Sequence, residues 1–173
     1  MKAIAHSTRL FLDCEWADEA GHQLVSLALV SEDGGHHFYS EVDPLPRHPT
    51  DWVRAVVYPL LQHGYATRQK ADFTRALRAF LARFDTPMVL FDHATDGILF
   101  DRALAGFDLP ANVIDKLGLA PFVTTILIQD EGVRDRIEAY FREHPDQARR
   151  RHDASVDAEA LRWVFVTELE KTP

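Results

Sequence analysis

Arg9-Leu-Phe-Leu-Asp-Cys-Glu-Trp16 (RLFLDCEW) is the stretch on which the fold turns. Leu10, Phe11 and Leu12 form a short apolar run of strand length. Asp13 and Glu15 follow it two residues apart. Side chains of a strand alternate between faces, so this spacing points both carboxylates the same way and Cys14 the other way. A core-like strand that ends in two carboxylates has two readings. They are hard oxygen ligands, suited to Mg²⁺ or Mn²⁺, or they are ordinary acids at a solvated strand end.

Working outward, Gln23–Val30 (QLVSLALV) is a second apolar strand, interrupted by Ser26, which is expected to be satisfied locally. Asp33-Gly34-Gly35 makes a turn, and His36–Glu41 (HHFYSE) returns as a third strand, giving an antiparallel meander. Prolines 44, 46 and 49 make the next stretch a loop. Thr50 or Asp51 caps a helix predicted over Trp52–Gln62. A second helix is predicted over Lys70–Phe84, where Phe73, Leu77, Phe80, Leu81 and Phe84 share helical spacing. Pro87–Phe91 (PMVLF) reads as a short buried strand, Asp96–Ala105 as a helix, and VTTILI within Pro121–Ile128 as another strand. Helices over Gly132–Glu143 and Ala154–Glu170 complete the chain. The order β-β-β-α-α-β-α-β-α-α predicts an α/β fold with a mixed central sheet of five or six strands flanked by helices. The length of 173 residues fits one domain, 1–173.

Hydrophobic residues make up 46% of the chain, enough for a core, and charged residues 27%, outside the disordered range. The single cysteine excludes an internal disulfide and a cysteine-based zinc site. No signal-like apolar run follows Lys2 and Arg9, and no segment approaches the roughly 20 apolar residues of a membrane span. The expectation is a soluble, cytoplasmic protein. A net charge of −8 argues mildly against nucleic-acid binding. Carboxylates that bind metals would carry part of that charge, so local charge matters more. The densest basic cluster is Arg149-Arg150-Arg151-His152. A looser scatter runs through Arg54, Arg68, Lys70, Arg75, Arg78 and Arg83.

Two further constellations carry chemistry. Asp92-His93-Ala94-Thr95-Asp96 follows PMVLF, and acids just past a buried strand's carboxyl end sit where α/β sheets place ligands. The alternative is helix capping, with Asp92 or Thr95 as the cap and Asp96 in the first turn. The other is His152-Asp153-Ala154-Ser155-Val156-Asp157. Five residues apart, His152 and Asp157 share no helical face, so His152 must precede the helix to meet Asp157. Otherwise they are an exposed His and a first-turn acid. Acids on three elements plus one His would make a two-metal site, with two ions about 4 Å apart that activate a water and stabilise a leaving oxygen. A neutral His suits the proton of that water near pH 7.

The set Asp13-x-Glu15, Asp96 and His152-x-x-x-x-Asp157 resembles the DEDDh 3′–5′ exonucleases of the ribonuclease T and oligoribonuclease superfamily. HDASVDAEALR, from His152 to Arg162, is its most specific element. The length, Trp16 after the Asp-x-Glu pair, and Trp52-Val53 resemble the small single-domain exoribonucleases of the mycobacterial type. The resemblance covers nearly the whole chain. It implies a ribonuclease H-like fold, two Mg²⁺ or Mn²⁺ ions held by Asp13, Glu15, Asp96 and Asp157, and His152 as general base. It also implies hydrolysis of single-stranded RNA from the 3′ end to nucleoside 5′-monophosphates. The second motif departs from the common Asn-x-x-Phe-Asp, since Asp92 and Thr95 stand at the Asn and Phe positions. Phe100-Asp101 is therefore a rival for the Asp; Asp96 is preferred because it lies nearer the strand.

Trp16, His93 and Arg151 are the candidate substrate contacts. Trp16 would stack on a base, against the reading of a core Trp. Arg149, Arg150 and Arg151 would meet phosphates, against a solvated run. Cys14 reads as a buried small hydrophobe, and His6, His36, His37, His48 and His63 as surface residues without partners. Relatives of this kind are commonly dimers, and VTTILI offers an apolar stretch for a homodimer contact. The rival functions are a DNA-directed 3′–5′ exonuclease, a catalytically weak nucleic-acid-binding module of the same fold, and a domain whose acids are only caps and surface.

Overall fold

The computed structural model describes residues 7–169. Lys2, His6 and the expected helix end at Glu170 lie outside the described residues. The meander forms as its patterning predicts: β1 (Thr8–Trp16), β2 (Leu24–Ser31) and β3 (His37–Asp43) pair antiparallel. β5 (Pro87–Phe91) lies parallel to β1 on its other side, β6 (Thr124–Leu127) lies parallel to β5, and a short β4 (Thr67–Gln69) extends the far edge. The result is a six-stranded mixed sheet in the order β4-β3-β2-β1-β5-β6, with helices on both faces.

β1 sits near the centre of this order, which explains why it is apolar on both faces before its acidic end. Leu10, Leu12 and Cys14 enter the larger core, together with Leu77 and Phe80 of α2 (Lys70–Leu81) and Leu99, Phe100 and Ala103 of α3 (Ala94–Ala105). Phe11 enters the opposite core, formed by Ala28, Val30, Leu90, Val133 of α5 (Glu131–Glu143), and Ala158 and Leu161 of α7 (Ala154–Leu169). Asp13 and Glu15 share the Phe11 side by alternation. Their carboxylates therefore point toward the first turn of α7.

The predicted helix over Trp52–Gln62 is cut short. α1 (Asp51–Val56) stops after 6 residues, and Tyr58–Leu60 continues as a single 3₁₀ turn. Pro59 lacks the N–H that the next helical turn needs. Thr50 is the cap, accepting from the Val53 N–H at 3.2 Å. Two short helices, α4 (Ala111–Ile114) and α6 (Pro145–Ala148), fall where the sequence predicts no element; at 4 residues each they are too short for helical periodicity to register. Three histidines also have partners that sequence did not reveal. His36 bonds Arg83 at 2.9 Å, His37 Nε2 lies 2.9 Å from the Gly34 carbonyl oxygen, and His63 lies 3.7 Å from the buried carboxylate of Glu41. Ser26 Oγ is buried without an ordinary hydrogen bond, though it approaches the Tyr39 hydroxyl. No described helix is long and apolar enough to cross a membrane.

Candidate functional site

Three elements bring carboxylates to one end of the sheet. β1 supplies Asp13 and Glu15. α7 supplies Asp157 from its first turn, and the fully buried Ala154 and Ala158 let that helix approach the sheet closely. α3 supplies Asp96, which is 1% exposed and whose Oδ1 accepts the Cys14 backbone N–H at 3.2 Å. The cap of α3 is His93, whose Nδ1 accepts from Thr95 N–H at 3.2 Å. Neither Asp92 nor Thr95 takes the capping role considered for them; Asp96 does stand in the first turn of α3, with its carboxyl buried. Asp101, the rival in the second motif, is exposed on the outer side of α3.

His152 precedes α7 and adopts φ = 73°, a left-handed conformation that is rare for a non-glycine residue and costs free energy. That turn lets its own N–H donate to Asp157 Oδ2 at 2.9 Å. It also brings its ring near the acids. One ligand atom each from Glu15, His152 and Asp157 lie within 4.8 Å of one another. This cluster can hold a metal ion.

The electrostatics point the same way. Burial first, and then repulsion from Asp96, Asp157 and Glu15, raise Asp13 well above the usual carboxylate range. Burial with repulsion from Asp157, Asp96 and Asp153 moves Glu15 to about 9. Burial is also the main cause that brings Asp157 to about 7. Asp96 is raised well above its usual value by burial, with Asp92 adding to the effect. The His152 imidazole is lowered, by burial and then by Arg151. Asp13 Oδ2 and Asp157 Oδ1 are buried without any hydrogen-bond partner. A buried acceptor without a donor is costly. Oxygen-rich ligands with unsatisfied lone pairs and suppressed ionisation fit a metal cation, which would supply the missing positive charge.

Asp13, Glu15, Asp157 and His152 open onto a cavity of about 380 Å³ that is also lined by Trp16, Trp52, Asp18 and Thr50, while Asp96 is buried behind it. Trp52 is 50% exposed and meets the His152 ring edge-on at 4.8 Å. Trp16 is half-buried and stacks on His93 at 5.2 Å. Trp16 therefore lines the cavity of the acids, and His93 backs it from the neighbouring cavity. Arg151 lies in a neighbouring cavity of about 490 Å³ with Asp92 and His93. Its guanidinium is bidentate to Glu138, at 3.0 and 2.6 Å, and sits 5.0 Å from the Phe141 ring centroid. Arg149 pairs with Asp146 and Arg150 with the buried Asp153. The arginine run is thus an ion-paired surface rather than a set of free cations.

Trp52 is the residue of the cavity whose contact with His152 sequence reasoning missed. Its neighbour is a hundred positions away in the chain, and no local spacing reports such a contact. Asp153 was also missed as a structural acid: it accepts from Ser155 N–H at 3.0 Å and fixes the start of α7. Neither a scan against protein-family models nor a search of curated proteins finds a match to the chain.

Proposed function

We infer that the chain is a metal-dependent 3′–5′ exonuclease of ribonuclease H-like fold, acting on single-stranded RNA and releasing nucleoside 5′-monophosphates. One observation carries this reading: acids from β1 and α7 meet beside His152, Asp96 of α3 lies close enough to act electrostatically on Asp13, and two buried carboxylate oxygens have no donor. Mg²⁺ or Mn²⁺, two ions held by Asp13, Glu15, Asp96 and Asp157, would supply charge neutralisation and an activated water for phosphodiester hydrolysis.

The chain's own residues do the rest. His152 is kept neutral near pH 7 by burial, so its ring nitrogen is free to take a proton from the attacking water. Its backbone N–H holds the Asp157 carboxylate in place. Trp16 and Trp52, on the cavity wall, offer faces for the terminal bases, and base–aromatic stacking is tolerant of sequence. Positioning of the 3′ end by such contacts makes the reaction effectively intramolecular.

The test is a time course with Mn²⁺ or Mg²⁺ on 5′-labelled and 3′-labelled single strands of RNA and of DNA. A descending ladder from 5′-labelled RNA, with mononucleotide released at once from the 3′-labelled strand, is expected. Faster decay of DNA would move the substrate to DNA. Absence of hydrolysis with either metal and either strand would leave only a binding module.

A further inference from the structure

A third cleft lies across the sheet from the acids. It holds about 450 Å³ between the β1–β2 hairpin, the loop after β3, and α3. Its floor is apolar: Leu24, Val42 and Leu99 belong to the core on the Leu10–Leu12 face, opposite Asp13 and Glu15. Phe107 forms one side and is itself braced edge-on by Phe73 at 5.5 Å. Three cations line the cleft, Arg47, Lys70 and Arg102, against one acid, Asp108. In a chain of net charge −8 this is a local inversion of sign.

The cations are not equally committed. Lys70 Nζ pairs with Asp108 at 2.6 Å and lies 5.8 Å from the centroid of the Phe107 ring. Arg102 gives one N–H to the His22 carbonyl at 2.7 Å, which leaves most of its five donors unused. Arg47 is exposed and forms no ion pair among the described residues. An apolar floor with an aromatic side wall accepts a planar ring. Guanidinium groups nearby match a phosphate through paired N–H donors. The volume falls within the range of small-molecule sites.

We propose that this cleft is a binding site for a nucleoside monophosphate, with the base against Phe107 and Leu99 and the phosphate on Arg47 and Arg102, separate from the carboxylate site. The site requires no divalent metal and does not depend on whether the chain cleaves nucleic acid. Asp108 opposes the phosphate and keeps Lys70 occupied. Its removal therefore strengthens binding.

The experiment is calorimetric titration of the full chain with AMP in EDTA, together with methyl and aromatic NMR shifts. AMP is expected to shift the signals of Leu99 and Phe107, and adenosine alone or inorganic phosphate alone to bind at least about tenfold more weakly. Arg47→Glu lowers the affinity for AMP by about tenfold or more, and Asp108→Asn raises it severalfold. Asp157→Asn, in the cavity of the acids, leaves it unchanged. The proposal is overturned if AMP gives no heat and no shifts, if its shifts cluster at Trp16 and His152 and vanish in Asp157→Asn, or if Arg47→Glu binds AMP as well as the parent chain. Because Arg47 is exposed and without an ion partner among the described residues, that variant does not threaten folding.

Discussion

His152 carries two duties that a single substitution can separate. Its backbone N–H holds Asp157, and its ring faces Glu15 and Asp157. Alanine keeps the first and removes the second. His152→Ala should therefore lower kcat by about 10²–10⁴-fold, the range for a lost general base. The affinity for Mn²⁺, read by titration, should change little. If metal affinity fell as steeply as kcat, His152 would be a ligand rather than a base. The second motif is tested by a contrast. Asp96→Ala removes a buried acid bonded to the Cys14 backbone, whereas Asp101→Ala alters an exposed helix surface. Steady-state rates should collapse in the first and stay near the parent value in the second; equal rates would reverse the assignment. At this scale the sequence was informative about residue types and faces. Alternation along β1 put Asp13 and Glu15 together and turned Cys14 away, because period-2 geometry is local. It was uninformative about the Trp52–His152 contact and the Arg151–Glu138 pair, which depend on how distant elements dock.

Between elements, the register of α3 on β5 decides whether Asp96 reaches the acids. Gly97 follows it immediately, and a Cβ there would overlap the Phe91 ring. Two effects oppose each other in Gly97→Ala. Helix propensity favours alanine by about 1 kcal/mol. Overpacking against a buried aromatic costs typically about 1–3 kcal/mol, since interiors are close-packed and the helix must shift. The clash should win, with a lower urea midpoint, and because the shift moves Asp96, activity should fall further than stability. A more stable and fully active variant would mean that α3 tolerates displacement and that its register does not control the site. The element map was legible wherever apolar periodicity ran for a turn or more, or for a full strand. It failed at α1, which Pro59 ends early, and at the 4-residue helices α4 and α6. Those short turns are set by local chain direction and docking rather than by an amphipathic stripe.

For the whole molecule, the acidic cluster couples function to stability. Glu15 is raised in the folded chain from 4.5 to about 9, and Asp157 from 3.8 to about 7. A carboxylate with a raised folded pKa binds its proton more tightly in the native state. Its stabilisation is complete below the unfolded pKa and is lost as pH rises through the folded one. His152 has a lowered folded pKa and acts in the opposite sense, but only below about 6.5, its ordinary value. The window from pH 7 to about 9 therefore isolates the acids. In EDTA, Tm should fall steadily across that window. Saturating Mn²⁺ or Mg²⁺ should flatten or reverse the fall, because the ligands bind metal in their ionised form and binding to the native state stabilises it. Asp13→Asn removes one of the mutually repelling charges, so the metal-free variant should be more stable than the parent at pH 8 while metal-dependent turnover is lost. Scanning calorimetry at several pH values, with and without metal, checks both statements. A Tm in EDTA that stayed level from pH 7 to 9, with no response to either metal, would mean that these acids are not held together under strain and that no cation binds among them.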